Sequence, residues 1–226
     1  MKRSGWMLAA AFAAALAAAP RLAAQNTAPP SAEAAAMARA RADSMRHPWT
    51  EADARFMTNM IGHHAQAIVM ANLVPTHSTS PEMKILAGRI INAQRDEIVT
   101  MQTWLRDRGR PVPQVDPAGG TTMAMDMSMA GHDHHDMTMM PGMLTPEQMQ
   151  QLAAARGTGF DRLFLRYMIQ HHSGAVQMVS ELFSSYGAGQ DETVFKFASD
   201  VNVDQTTEIA RMQRMLVDLL FGEPSP

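Results

Sequence analysis

Apolar residues recur with helical spacing along most of the chain, and a few sharply marked breaks interrupt the recurrence. The stripe Met57, Met60, Ile61, His64, Ala67, Ile68 and Ala71 follows steps of three and four residues, which predicts an amphipathic helix starting after Thr50. Thr50 followed three residues later by Asp53 is an N-cap pattern. The segment Pro75 to Pro81 is expected to end this helix, and Ser80-Pro81-Glu82 starts another with proline at its first position. That second helix carries Leu86, Ile90, Ala93, Glu97, Met101 and Leu105 and stops at Gly109-Arg110-Pro111.

The rest of the chain repeats this layout. Thr145-Pro146-Glu147-Gln148 is a capping box for a short helix. Gly157 to Gly159 breaks it, and a long helix is expected from about Phe160 to Ser184. Ser185 to Gly189 forms a turn before a last helix from about Asp191 to Phe221. In that helix Ala198, Val201, Gln205, Glu208, Ile209, Met212, Gln213 and Leu216 match Ala87, Ile90, Gln94, Glu97, Ile98, Met101, Gln102 and Leu105 at an offset of 111. No stretch alternates convincingly as a strand would. Two amphipathic hairpins, 50–109 and 145–221, bury their apolar faces against each other, which predicts an all-α four-helix bundle with pseudo-twofold symmetry.

The polar identities in the repeat point to chemistry. Asp53-x-x-Phe56-x-x-x-Met60-Ile61-x-His63-His64-x-x-Ala67-Ile68-x-Met70 recurs 108 positions later as Asp161-x-x-Phe164-x-x-x-Met168-Ile169-x-His171-His172-x-x-Ala175-Val176-x-Met178. Packing explains the Phe, Ile and Ala positions, but it gives little reason for adjacent histidines flanked by methionines in both copies. Thioether and imidazole suit a soft or borderline metal ion, with copper the first candidate: Cu(I) favoured, Cu(II) the second form. Met60 and His64 lie one helical turn apart on one face, and His63 is also a neighbour of Met60. His63 and Met70 point the same way but are about 10 Å apart along the axis. Either two ions line up along the helix, or Met70 finds its partner on the neighbouring helix, where Met101 is the candidate. Adjacent histidines project about 100° apart, so one of each pair can face the bundle centre and the other a groove. By stripe membership His64 and His172 are expected to be central, while the spacing leaves open which imidazole of each pair ligates. Glu97 and Glu208 are weaker candidate ligands, and Trp49 and Trp104, which have no copies, read as packing residues.

Between the hairpins, 110–144 contains Met123, Met125, Met127, Met129, His132, His134, His135, Met137, Met139 and Met140. Nine of the chain's 22 methionines fall between Met123 and Met149, so the segment reads as a flexible copper-collecting linker rather than an indifferent spacer. At the other end, Lys2 and Arg3, the apolar run Trp6 to Ala19 and small residues to Ala24 have the form of a secretory leader, 1–24, followed by a flexible tether, 25–49. That run is shorter than the about 20 residues a bilayer span requires. The expectation is an exported protein, periplasmic or extracellular, with no membrane span in its mature form. Without Lys2, Arg3 and Arg21 the formal charge moves from -3 to -6, which disfavours nucleic acid as a partner. With no cysteine, disulfides and thiolate metal sites are excluded, so a strong soft-metal site must be built from methionine and histidine.

Met-Ile-x-His-His-x-x-Ala-x-x-Met after Asp-x-x-Phe, followed by Gln-x-x-Glu-Ile-x-x-Met-Gln, resembles the domain of unknown function 305 family with its CopM-like exported copper-binding proteins. The resemblance covers about Glu51 to Arg108 and Thr145 to Leu220, as two tandem copies. It implies a helical bundle of ferritin-like appearance and copper binding through Met60, His63, His64, Met70 and Met101, and through Met168, His171, His172, Met178 and Met212. Copper capture for buffering, delivery to a partner protein or detoxification, without catalysis, is the leading expectation. One alternative is a ferritin-like di-iron oxidase, which wants about four carboxylates with Glu-x-x-His pairs. The other is a pH-sensing helical domain that binds a partner, which leaves the methionines unexplained.

Overall fold

A computed structural model describes residues 31–32, 35–37, 39, 48–116, 119, 121–122 and 140–221 of the 226-residue chain. The chain divides into two units, Met1–Ala38 and Arg39–Pro226. In the first, the described residues include one helical hydrogen bond, Ala35 N–H to the Ser31 carbonyl at 2.9 Å.

The second unit is built mostly of helices: α1 (Glu51–His77), α2 (Pro81–Asp107), α3 (Pro146–Ala154), α4 (Gly157–Ser184) and α5 (Glu192–Phe221). Its sequence caps form as expected. The Thr50 side chain accepts from the Asp53 N–H while the Asp53 carboxylate takes the Thr50 N–H, and Thr145 and Gln148 close the same box on α3. Ser80 caps α2 over its N-terminal proline, and Gly109, at φ 63°, follows its end. Helix α1 ends at His77, within the expected segment Pro75 to Pro81, with Pro75 inside its last turn, where the missing N–H removes little of the helical ladder. One boundary differs from expectation. Helix α4 begins at Gly157, three residues before Phe160, with Gly157 at φ 55°. A two-residue antiparallel ladder, β1 (Gln114–Val115) with β2 (Thr121–Thr122), pairs Gln114 with Thr122 and Val115 with Thr121. Sequence alternation had not indicated it, and two residues are too few for a period of two to register.

Three packings organise the core: α1 on α2, α4 on α5, and α1 on α4. The last is antiparallel. Asp53 near the start of α1 accepts from Gly189 N–H beyond the end of α4 at 2.7 Å, while His77 at the end of α1 stacks on Phe160 near the start of α4 at 5.1 Å. Two buried clusters follow. One joins Phe56, Met57, Met60 and Ile61 to Ala175, Met178, Val179 and Leu182, and the other joins Ala67, Met70, Ala71 and Val74 to Phe160, Phe164, Leu165 and Met168. Trp104 is a packing residue with a polar tip, buried edge-on to Trp49 and donating Nε1–H to Asp191 at 3.0 Å.

One of the repeated aspartates fastens its hairpin to the turn of the other: Asp53 of α1 holds Gly189 in the α4–α5 turn. Its copy in α4, Asp161, is buried near Ser78 of the α1–α2 turn; burial raises its pKa, Ser78 opposes the rise, and its Oδ1 has no hydrogen-bond partner among the described residues. Asp53→Ala would remove a helix cap and leave the buried Gly189 N–H without its acceptor. The expected loss is about 2 to 4 kcal/mol of unfolding free energy, read from urea midpoints, against about 0.5 kcal/mol or less for the exposed Glu181→Ala. Equal shifts in the two variants would dismiss the clamp.

Candidate metal centre

The four histidines of the repeated motif are all fully buried. His63 and His171 meet at the crossing of α1 and α4, with ring centroids 3.9 Å apart and planes inclined by 39°. His64 turns toward α2, its Nε2 2.6 Å from Glu97 Oε2, and His172 turns toward α5, its Nε2 2.7 Å from Glu208 Oε2. The expectation from the apolar stripe is therefore corrected: His63 and His171 are central, and His64 and His172 face the hairpin partners. Helix α1 is covered by both α2 and α4, so its buried arc is wider than one stripe, and stripe membership does not distinguish two residues 100° apart.

The methionines regroup across the hairpins as well. Met60 and Met101 share a buried cluster with Met178, while Met168 and Met212 share the other with Met70. The expected partnership of Met70 with Met101 is not formed. Helix α2 returns along α1, so Met101 comes back beside the Met57–Met60 end, and Met70 lies instead in the cluster of Leu86, Ala87 and Ile90. Each cluster thus collects three motif thioethers, two from one hairpin and one from the other. Of the linker candidates, Met140 is partly buried against the first cluster. Met123, Met125, Met127, Met129, His132, His134, His135, Met137 and Met139 lie outside the described residues.

The central imidazoles are short of hydrogen bonds. His63 Nε2–H donates to the Pro141 carbonyl at 2.9 Å, so in the neutral ring Nδ1 keeps its lone pair. Among the described residues, the Nδ1 atoms of His63, His64 and His172 and both ring nitrogens of His171 have no hydrogen-bond partner. His64 Nε2 is close to Glu97 but off the line of a hydrogen bond, so the 2.6 Å contact is electrostatic rather than a formed bond. Buried polar atoms left this way are costly and uncommon. Gln94 and Gln205, which the motif reading matched without assigning a role, are also buried with unpartnered Oε1 atoms. Their signal was present in the repeat, where each precedes its glutamate by three residues.

Burial also keeps the central rings neutral. It drives the His63 pKa down to about 3, the neighbouring His64 and His172 push the same way, and the Pro141 carbonyl opposes them. His171 is held well below the ordinary value by burial and then by the other three imidazoles. The Pro141 carbonyl is fixed from outside: Gln66 takes both backbone groups of Leu144, at 2.8 and 3.0 Å, and a β-carbon on Gly174 would fall 1.9 Å from Pro141 O. Glycine at 174 is what lets this strap lie on α4 over the histidine pair. Among the described residues no three His, Asp or Glu side chains are grouped to hold a metal ion. The arrangement offers neutral imidazole nitrogens and thioethers, donors for a soft ion rather than a hard one.

Residues 53–216 match the family model for a domain of unknown function (DUF305). A DUF305 protein of Streptomyces coelicolor, inferred to be secreted, is 26% identical with a TM-score of 0.59, covering 77% of this chain and 98% of that one. CopM in a Cu(II)-bound form is 33% identical, with a TM-score of 0.54 and coverage of 74% and 96%. Its Cu(I)-bound form is 30% identical, with a TM-score of 0.54 and coverage of 77% and 99%. No curated protein matches the chain.

The depressed histidine pKa values make the metal-free protein sensitive to acid. Below about pH 6.5 the unfolded chain protonates these imidazoles, whereas folded His63 stays neutral down to about 3. Stability is therefore complete above about pH 6.5 and falls as the pH drops toward 3, by up to about 1.4 kcal/mol per pH unit for each such histidine. Urea midpoints measured from pH 7 to pH 4 should show this decline, and it should flatten in His63→Leu/His171→Leu. A decline that the double variant leaves unchanged would place the acid sensitivity elsewhere.

Proposed function

Because the chain belongs to the DUF305 family, we propose that it is an exported copper-binding protein whose core imidazoles and methionines take a soft metal ion. In this reading 50–109 and 145–221 are tandem copies of one hairpin, together a ferritin-like four-helix bundle, joined by the Met/His-rich linker 110–144 and preceded by leader 1–24 and tether 25–49. The observation that carries it is the set of unpartnered nitrogens on His63, His64, His171 and His172, with a cluster of buried thioethers on each side of the histidine crossing. A soft ion would supply the missing partner, and its ligands need no deprotonation, since burial already keeps His63 and His171 neutral. His63 and His171, with Met60, Met101 and Met178 on one side and Met70, Met168 and Met212 on the other, are the inner candidates. Glu97 and Glu208 orient His64 and His172 rather than ligate, as carboxylates commonly do for metal-bound imidazole. The CopM structures holding Cu(I) and Cu(II) support copper as the ion, and the thioethers favour Cu(I).

The binding reading is preferred to an oxidase. A di-iron centre wants about four carboxylates around its histidines, and among the described residues Glu97 and Glu208 are the carboxylates in contact with these rings. Export is supported by the leader pattern, and no described helix is long and apolar enough to cross a membrane.

The test is competition of metal-free protein with a chromophoric Cu(I) chelator, alongside Zn(II). Cu(I) should bind more tightly than zinc, and His63→Ala/His64→Ala/His171→Ala/His172→Ala should abolish the tight site. Glu97→Gln/Glu208→Gln should weaken it by about 10- to 100-fold, and deletion of 121–140 should lower the number of ions bound while leaving the tightest site. Wild-type Cu(I) affinity in the quadruple histidine variant would refute the core site.

A further inference from the structure

Helices α2 and α5 make no extended contact with each other, and a cleft of about 590 Å³ lies at their adjoining faces. Among the described residues its walls carry Asp96 and Glu97 from α2 and Glu192, Asp200 and Asp204 from α5, with one cation, Lys196, paired to Asp200. The carboxylates crowd one another: burial, then Glu97, Asp200 and Glu208, push the Asp204 carboxyl above its ordinary range, against the pull of Lys196. Acidity alone would mark only a solvated surface. What distinguishes this cleft is that Glu97, one of its walls, touches Nε2 of His64, a wholly buried imidazole with no hydrogen bond at either nitrogen among the described residues. Glu208, within electrostatic reach of Asp204, accepts a hydrogen bond from Nε2 of His172 at 2.7 Å, which leaves Nδ1 of that ring unpartnered among the described residues. On the α1 and α4 side, by contrast, the Pro141 strap lies against Gly174 and His63.

We propose that this acidic cleft is the route by which a soft monovalent cation reaches the core, with Asp200 and Asp204 drawing the ion in and Glu97 and Glu208 passing it to His64 and His172. The inference rests on the reading that the core binds such an ion. A cleft lined by one sign of charge raises the local concentration of a counter-ion and its rate of arrival. Carboxylate oxygens are hard donors, so they attract a soft cation without competing with imidazole and thioether for it. Glu97 and Glu208 suit the handover because their side chains keep 19% and 22% exposure while touching rings that have none.

The experiment mixes metal-free protein with silver(I) nitrate in a stopped-flow instrument, in sodium nitrate of varied concentration, and follows quenching of tryptophan emission. Trp104 shares a buried cluster with Met60 and Met101 and reports arrival of a heavy ion there. Asp200→Asn/Asp204→Asn, at exposed positions, should slow association about tenfold at low salt. The deficit should vanish at high salt, and affinity should fall by less than the rate. Asp96→Asn/Glu192→Gln, also exposed, should repeat the effect. Glu181→Gln/Asp218→Asn changes net charge equally away from the cleft and should associate like wild type. Equal rates in cleft and control variants would overturn the route while leaving the core site standing. Silver that fails to bind wild-type protein would instead overturn the copper-site reading on which the route depends.

Discussion

The architecture turns on one contact, the meeting of His63 and His171 where α1 crosses α4. Two neutral imidazoles cannot satisfy each other's nitrogens in this geometry, and no water-exposed surface reaches them. The surrounding structure works to hold them there. Ala67, Ala71, Gly174 and Ala175 keep the interhelical surface low, and the Asp53–Gly189 bond sets the longitudinal register. A slip of one helical turn is about 5.4 Å, enough to part rings whose centroids are 3.9 Å apart. That clamp spans the two hairpins, so the register is a property of the assembled core and not of either hairpin alone.

The methionine distribution follows from the same crossing. Antiparallel packing carries Met70 of α1 away from Met60 and into the cluster of Met168 and Met212, and sends Met178 to Met60 and Met101. Neither hairpin by itself assembles the thioethers of a cluster. Under the copper reading, the ligand set then exists only in the folded chain, and ion binding adds directly to folding free energy. The unpartnered imidazole nitrogens sharpen this coupling, since the metal-free fold bears their desolvation cost and a bound ion would relieve it.

Helix positions, caps and the histidine pairs were legible because they depend on local chemistry: the Thr50–Asp53 and Thr145–Gln148 boxes, the Pro81 start and the Gly109 stop all act within a few residues. What was not legible depends on which helix covers which face. The repeat marked His63 and His64 as special, but the apolar stripe ordered them wrongly, because α1 is buried on two sides and its hydrophobic stripe is correspondingly broad. Asp53 was legible as the capping partner of Thr50, but its second bond, to Gly189, depends on a turn far away in sequence. The Pro141 strap was hidden for a similar reason. Its anchors, Gln66 and Gly174, stand at equivalent places in the two copies and have different side chains, so a search for repeated chemistry passes over both.

The donor types are layered from surface to core. Among the described residues, carboxylates with one paired ammonium line the α2–α5 cleft, mostly buried glutamates touch the outer imidazoles, the central imidazoles are dry, and thioethers flank them. Hardness falls along that order and so does water content. A hard divalent ion gains most from the outer carboxylates and little from the thioethers, whereas a soft monovalent ion gains progressively as it moves inward. Discrimination between ions would then come from the gradient rather than from any single ligand: the outer layer attracts cations indiscriminately by charge, and only an ion that prefers sulfur and imidazole to oxygen recovers the cost of leaving water.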